Sequence, residues 1–110
     1  MKTILVIEDD RSIRKNLIRM LNQSGFDVLV AEQGKQGVEL AELHLPDLIV
    51  CDILMPELDG FGVLAALRQN PETVAIPFIF LSARSDLDEI RQGMNLGADD
   101  YLTKPFTAQQ

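Results

Sequence analysis

The side chains able to do chemistry together fall in four places, each behind a short apolar run. Glu8, Asp9 and Asp10 follow "ILVI", Asp52 follows "LIVC", Ser82 follows "FIFL", and Lys104 ends "DYLTK". Acids, a hydroxyl and an ammonium with no His or Cys among them form an oxygen-rich set around one fixed positive charge. Oxygen donors in small number suit Mg²⁺, which keeps several of its waters, with Mn²⁺ as the alternative ion. Two carboxylates about 5 Å apart repel by roughly 3 kcal/mol at an effective dielectric of 20. A converging cluster therefore needs countercharge. Lys104 supplies one unit, and a divalent cation would supply the rest.

Whether the four places converge depends on the elements that carry them. "TILVIE" (3–8), "DVLVAE" (27–32), "DLIVCD" (47–52), "FIFLS" (78–82) and "DYLTK" (100–104) read as strands. Helical spacing runs between them. Ile13, Leu17, Met20 and Leu21 share a face over 11–24, and Val38, Ala41 and Leu45 share one over 35–45. "FGVLAALRQ" (61–69) and residues 86–96 complete the helices, the latter with Leu87, Ile90 and Met94 turned to the core. Gly25 and Gly97 are helix stops, and Pro46 ends the second helix. "ILMPELDG" (53–60) is a loop, shaped by Met55-Pro56, and "NPETVAIP" carries a turn.

Strands alternating with helices imply a parallel sheet with right-handed crossovers. The near-continuous apolar runs of the first, third and fourth strands fit a sheet covered on both faces. The expected fold is α/β, a doubly wound five-stranded sheet of flavodoxin-like order 2-1-3-4-5. Ligands of such folds bind outside the carboxyl ends of the strands, at the switch in strand order. That order would make the first and third strands neighbours and bring Glu8, Asp9, Asp52, Ser82 and Lys104 to one end of the sheet.

The chain has 110 residues, 46% apolar and 25% charged, which suits one soluble globular domain. A net charge of −7 and the lack of any basic run argue against nucleic acid as a direct ligand of this domain. The lone Cys51 cannot form an internal disulfide. No apolar stretch reaches membrane-spanning length, and "MKTILVIEDD" lacks the features of a signal peptide. A cytoplasmic location is the default expectation.

These motifs resemble the receiver domain of two-component response regulators. "VIEDD" matches its acidic pair, "CDILMPELDG" the surroundings of its phosphoacceptor, "LSA" its hydroxyl and small residue, and "GADDYLTKPF" its Lys-Pro signature. The resemblance covers the whole chain. It implies that Asp52 is the phosphoacceptor and that Mg²⁺ is held by Glu8, Asp9, Asp52 and the backbone carbonyl of Leu54. It further implies that Lys104 pairs with the phosphoryl group, that Ser82 hydrogen-bonds one of its oxygens, and that Ala83 leaves the entry open. Ser82 and Tyr101 would be the switch residues, coupling phosphorylation to the surface of the fourth helix and fifth strand. A cis Lys104-Pro105 bond is implied as well. The implied partners are a sensor histidine kinase or phosphotransfer protein and an output domain or downstream effector. The only chemistry catalysed would be the domain's own phosphorylation and dephosphorylation. Two residues past Asp52 and Ser82 stand Leu54 and Arg84, and the resemblance implies that these positions modulate how fast water reaches the phosphoryl group. Apolar Leu54 orients no water, so a long-lived phosphoryl state is expected.

Other acids have plainer readings. Asp52 alone could be a strand-end turn residue, and it is the match at four strand ends that weighs against this. Asp10 directly precedes the first helix and reads as its N-cap. Glu57 and Asp59 read as solvated loop acids, and Asp99 and Asp100 as parts of the turn before the last strand. Cys51 reads as a small core residue, and His44 as a surface residue near the end of the second helix.

Two rival functions would draw on similar residues. A haloacid-dehalogenase-type phosphatase fragment would need a second Asp two residues after the nucleophile, where Leu54 stands. A degenerate receiver that only binds partners is opposed by the complete acceptor site. After "KPFTAQQ" the family pattern continues into a fifth helix, which this sequence lacks beyond its first turn. The expectation is a single receiver domain over 1–110, the N-terminal part of a longer protein. Loss of three or four buried apolar side chains, at about 1.5–3 kcal/mol each, predicts low stability or a partner over the open face, self-association included.

Overall fold

The computed structural model describes residues 2–83 and 87–104. Five strands and four helices alternate strictly. They are β1 (Thr3–Ile7), α1 (Arg11–Gln23), β2 (Asp27–Ala31), α2 (Gly34–His44), β3 (Leu48–Asp52), α3 (Gly60–Arg68), β4 (Phe78–Ala83), α4 (Leu87–Asn95) and β5 (Asp100–Lys104). All pairings are parallel, and the sheet order is β2-β1-β3-β4-β5. The switch in strand order falls between β1 and β3, as expected for the doubly wound fold. The expected loss of the fifth helix concerns residues 105–110, which lie outside the described residues.

The period of two along each strand sorts the core into two layers. Leu5, Ile7, Ile49 and Cys51 face one way and pack with Ala41, Val63, Leu64 and Leu67, under α2 and α3. Ile4, Val6, Val50 and Leu81 face the other way and pack with Leu17 of α1. Phe80 meets Phe61 and Phe78 edge-on, with ring centroids 5.4 and 5.0 Å away. Edge strand β2 is only half-buried, while β1 and β3 are buried almost throughout.

Helix ends follow local chemistry. Asp10 caps α1, its carboxylate accepting the Ile13 amide at 3.1 Å. Asp59 caps α3 by accepting the Gly62 amide at 2.9 Å, so it is a structural residue as well as a solvated one. Gly25 and Gly97 adopt φ of 92° and 106°, the left-handed region that glycine enters without a Cβ penalty. Leu45 is a correction. It is not on the buried face of α2 but is the exposed left-handed cap residue after it, with φ 47°. Met94 is another. It lies on the exposed side of α4, because the helix presses Gly93 against the Phe80 ring, where a Cβ would come within 2.6 Å. The side chain of Leu87 lies outside the described residues.

Two matching clasps close the amino ends of the strands. The Asp47 amide donates to the Thr3 carbonyl at 2.8 Å, and the Asp47 carboxylate accepts the Thr3 amide at 2.8 Å. Asp99 and Phe78 repeat the pattern, again with both bonds at 2.8 Å. In each case the Asp directly precedes its own strand and locks the first residue of the strand beside it. Arg68 adds to the second clasp. It donates to the carbonyls of Val74, Ile76 and Gly97 at 2.8, 2.8 and 3.1 Å and lies 3.5 Å from the Asp99 carboxylate.

Candidate functional site

The carboxyl ends of β1 and β3 bring the acids together. Ile7 pairs with Cys51 in the parallel register, so the next step sets Glu8 beside Asp52. Alternation puts both on the side of Val6 and Val50, toward α1. The Glu8 amide extends the ladder by donating to the Ala31 carbonyl at 3.1 Å. Glu8, Asp9 and Asp52 each offer a carboxylate oxygen, and these oxygens all lie within 4.8 Å of one another.

Burial makes this cluster unlike a surface acidic patch. Glu8 is 0% exposed and Asp52 4%, while Asp9 is exposed at the mouth. Carboxylates withdrawn from water require compensating charge and hydrogen bonds. Among the described residues the converging donors are all carboxylate oxygens, a set that could bind a metal ion. Glu8, Asp9 and Asp52 could hold such an ion. Asp10 is excluded from the set by its role as helix cap.

Asp52 is held from behind. The Gly60 amide donates to the Ile53 carbonyl at 2.8 Å, and the Ile53 amide donates to the Leu81 carbonyl at 3.1 Å. A Cβ on Gly60 would lie 2.4 Å from the Asp52 carbonyl oxygen and 2.9 Å from the Ile53 Cα. Only a glycine lets the start of α3 approach the Asp52 backbone this closely. Cys51 is fully buried in the core and contacts the Asp52 carbonyl at 3.3 Å, as a small core residue should.

The remaining expected residues stand where their strands end. Ser82 is fully buried, one residue beyond Leu81, the partner of Asp52 in the register. Lys104 is the last residue of β5, opposite Ala83. The side chains of Lys104 and Ala83, together with Arg84 and Pro105, lie outside the described residues. Leu54 is 60% exposed at the start of the β3–α3 loop. Tyr101 is exposed on β5 with Leu102, and Met94 and Leu96 are exposed in α4 and the turn after it. His44 ends α2 in an exposed position.

One residue at the site escapes a reading of the sequence. Arg14 on α1 donates to the carbonyls of Glu8 and Asp9 at 2.9 and 3.3 Å, and it lies 3.4 Å from the Glu32 carboxylate. The available signal is an Arg one turn into the helix that follows the acidic pair.

Fold and site together define a receiver-type α/β domain, and the chain belongs to the response regulator receiver domain family, whose model matches residues 4–110. Among curated relatives it is 41% identical to the alkaline phosphatase synthesis transcriptional regulatory protein PhoP of Bacillus subtilis, over 99% of this chain and 45% of that protein. It is 39% identical to the response regulator MprA of Mycolicibacterium vanbaalenii, over 97% of this chain and 46% of that protein. The chain thus spans less than half the length of these relatives. Among solved structures, a response regulator receiver domain protein from Clostridium thermocellum superposes with a TM-score of 0.89 at 32% identity, covering 99% of this chain and 86% of that one. The chemotaxis response regulator CheY4 of Vibrio cholerae gives 0.92 at 28% identity, covering 99% and 91%.

Proposed function

We propose that this domain is a phosphorylation-controlled signalling switch whose acceptor is Asp52. The observation that carries the reading is the buried Asp52 carboxylate, at the end of a central strand, converging with Glu8 and Asp9 within 4.8 Å. The phosphodonor is a phosphohistidine on a sensor histidine kinase or phosphotransfer protein. An Asp52 carboxylate oxygen forms a bond to phosphorus as the phosphorus–nitrogen bond to the imidazole breaks. The electron pair of that bond stays on the imidazole nitrogen, and the product is an acyl phosphate on Asp52.

Glu8, Asp9, Asp52 and the Leu54 carbonyl would hold Mg²⁺, with Mn²⁺ able to replace it. The bound ion would neutralise charge on the transferring phosphoryl oxygens. Lys104 pairs with the phosphoryl group from the end of β5, and Ser82 donates its hydroxyl to a phosphoryl oxygen. Phosphorylation adds charge and acceptor oxygens at a buried point. Ser82 responds, Tyr101 turns inward, and the α4–β5 surface changes for an output partner. The exposed Leu54 side chain provides no group to orient a hydrolytic water, so the phosphoryl state is long-lived.

The domain acts within a longer regulator, a reading supported by the share of its relatives that it spans. It turns over no separate substrate. A cytoplasmic location accords with relatives named as transcriptional regulators and with the absence, among the described residues, of a helix long and apolar enough to cross a membrane.

Acetyl phosphate with Mg²⁺ tests the reading, because the chemistry resides in the receiver. The expected result is a mass gain of one phosphoryl group, absent in Asp52→Asn and absent when EDTA removes the metal. An equal gain in Asp52→Asn would reject Asp52 as acceptor.

A further inference from the structure

The link from β1 to α1 is short, and it must aim two carboxylates at one point. The β1 ladder ends at Ile7, the Glu8 amide reaches Ala31, and Asp10 already caps α1. Glu8 and Asp9 therefore share the turn. Glu8 remains buried, while Asp9 must point back toward Asp52 from the surface.

Arg14 is placed to govern that turn. Its backbone amide donates a hydrogen bond to the Asp10 carbonyl at 3.0 Å, in the first turn of α1. From there one guanidinium nitrogen reaches both the Glu8 and the Asp9 carbonyl, at 2.9 and 3.3 Å. The other lies 3.4 Å from Glu32, just past β2, and the Arg14 side chain is only 13% exposed. Each peptide unit is planar, so holding its oxygen orients the whole unit. The two units held here flank the Asp9 Cα, which restricts both its dihedrals and the direction in which its side chain leaves the chain.

We propose that Arg14 is a positioning residue for the cation site. By holding the Glu8 and Asp9 carbonyls it pre-orients their carboxylates toward Asp52, and the site binds a divalent cation more tightly because of it. The inference rests on the metal-assisted reading given above. It also makes a claim about sign. A guanidinium acting only through its charge would repel a cation, so its removal would tighten binding. A guanidinium acting by orientation would weaken binding when removed, as loss of a group that orients metal ligands commonly does. Arg14→Lys separates the two effects, because it keeps the charge but replaces the planar fork with a point donor.

The test is Mn²⁺ binding, followed by the electron paramagnetic resonance signal of free Mn²⁺, in the unphosphorylated domain well below its unfolding temperature. Arg14→Ala and Arg14→Lys are each expected to raise the Mn²⁺ Kd by about tenfold, while Glu32→Gln stays within about twofold of wild type. A merely structural role would lower the unfolding midpoint and leave the Kd unchanged. Wild-type affinity in Arg14→Lys, or tighter binding in Arg14→Ala, overturns the proposal while leaving the metal-assisted switch intact. If Arg14→Ala does not fold, Arg14→Lys decides alone. Failure of the wild-type domain to bind Mn²⁺ overturns both readings.

Discussion

The two ends of the sheet put the same residue type to opposite uses. At the amino ends, Asp47 and Asp99 each sit just before a strand, and each accepts a backbone amide from the strand beside it at 2.8 Å. At the carboxyl ends, Glu8, Asp9 and Asp52 turn toward one another. An acid matched to a backbone donor closes a fold. Acids that share one volume repel one another, and a bound cation would offset that repulsion. Composition does not separate the two cases. What does is position: the clasping acids accept a backbone amide at a strand's start, whereas the clustered acids share one volume at the strands' ends.

The difference can be broken first at its largest point. Asp52→Asn removes the proposed acceptor oxygen, and complete loss of phosphoryl uptake from acetyl phosphate is expected by intact-protein mass spectrometry, with the fold retained by circular dichroism. Next comes the support behind Asp52. Gly60→Val drives a side chain into the Asp52 carbonyl and the Phe80 ring. Overpacking against backbone should cost about 3 kcal/mol in urea unfolding.

Smaller effects sharpen the contrast from the other end. Asp99→Ala deprives the part-buried Phe78 amide of its acceptor and releases one partner of Arg68. The expected loss is about 2 kcal/mol of stability. Asp47→Ala acts at a more exposed clasp and should cost about 1 kcal/mol. Both variants should still take up phosphate at the wild-type rate when assayed below their unfolding midpoints. Slow uptake in either would mean that the two ends are coupled. Last, Asp10→Ala removes a cap and should cost about 1 kcal/mol. It should leave Mn²⁺ affinity unchanged, which separates Asp10 from the two acids before it.

Much of this was legible in the chain. The strands were readable because each is a short apolar run ending in a polar residue, and the helices because their apolar residues recur at helical spacing. Asp10 was readable as a cap because capping is local, between residues three apart. Leu45 and Met94 were misplaced for a physical reason. Periodicity shows which residues share a face but not where a helix stops or how wide its covered stripe is. At Leu45 the helix had ended in a left-handed turn, and at Met94 the contact with the sheet had been taken by Gly93.

By itself the sequence determined the element order, the sheet order that this alternation favours, and the identity of the acids at the strand ends. Those follow from local periodicity and from the rule that parallel strands need crossovers. Only the tertiary structure showed how closely Glu8, Asp9 and Asp52 approach, and that Asp47 and Asp99 close the fold. Arg14 and Arg68 likewise show their roles only in three dimensions, because a guanidinium that holds carbonyls outside its own helix leaves no periodic trace in the chain. The outcome for each charged side chain depends on a partner brought within hydrogen-bonding distance by folding, and that distance is not encoded in spacing along the sequence.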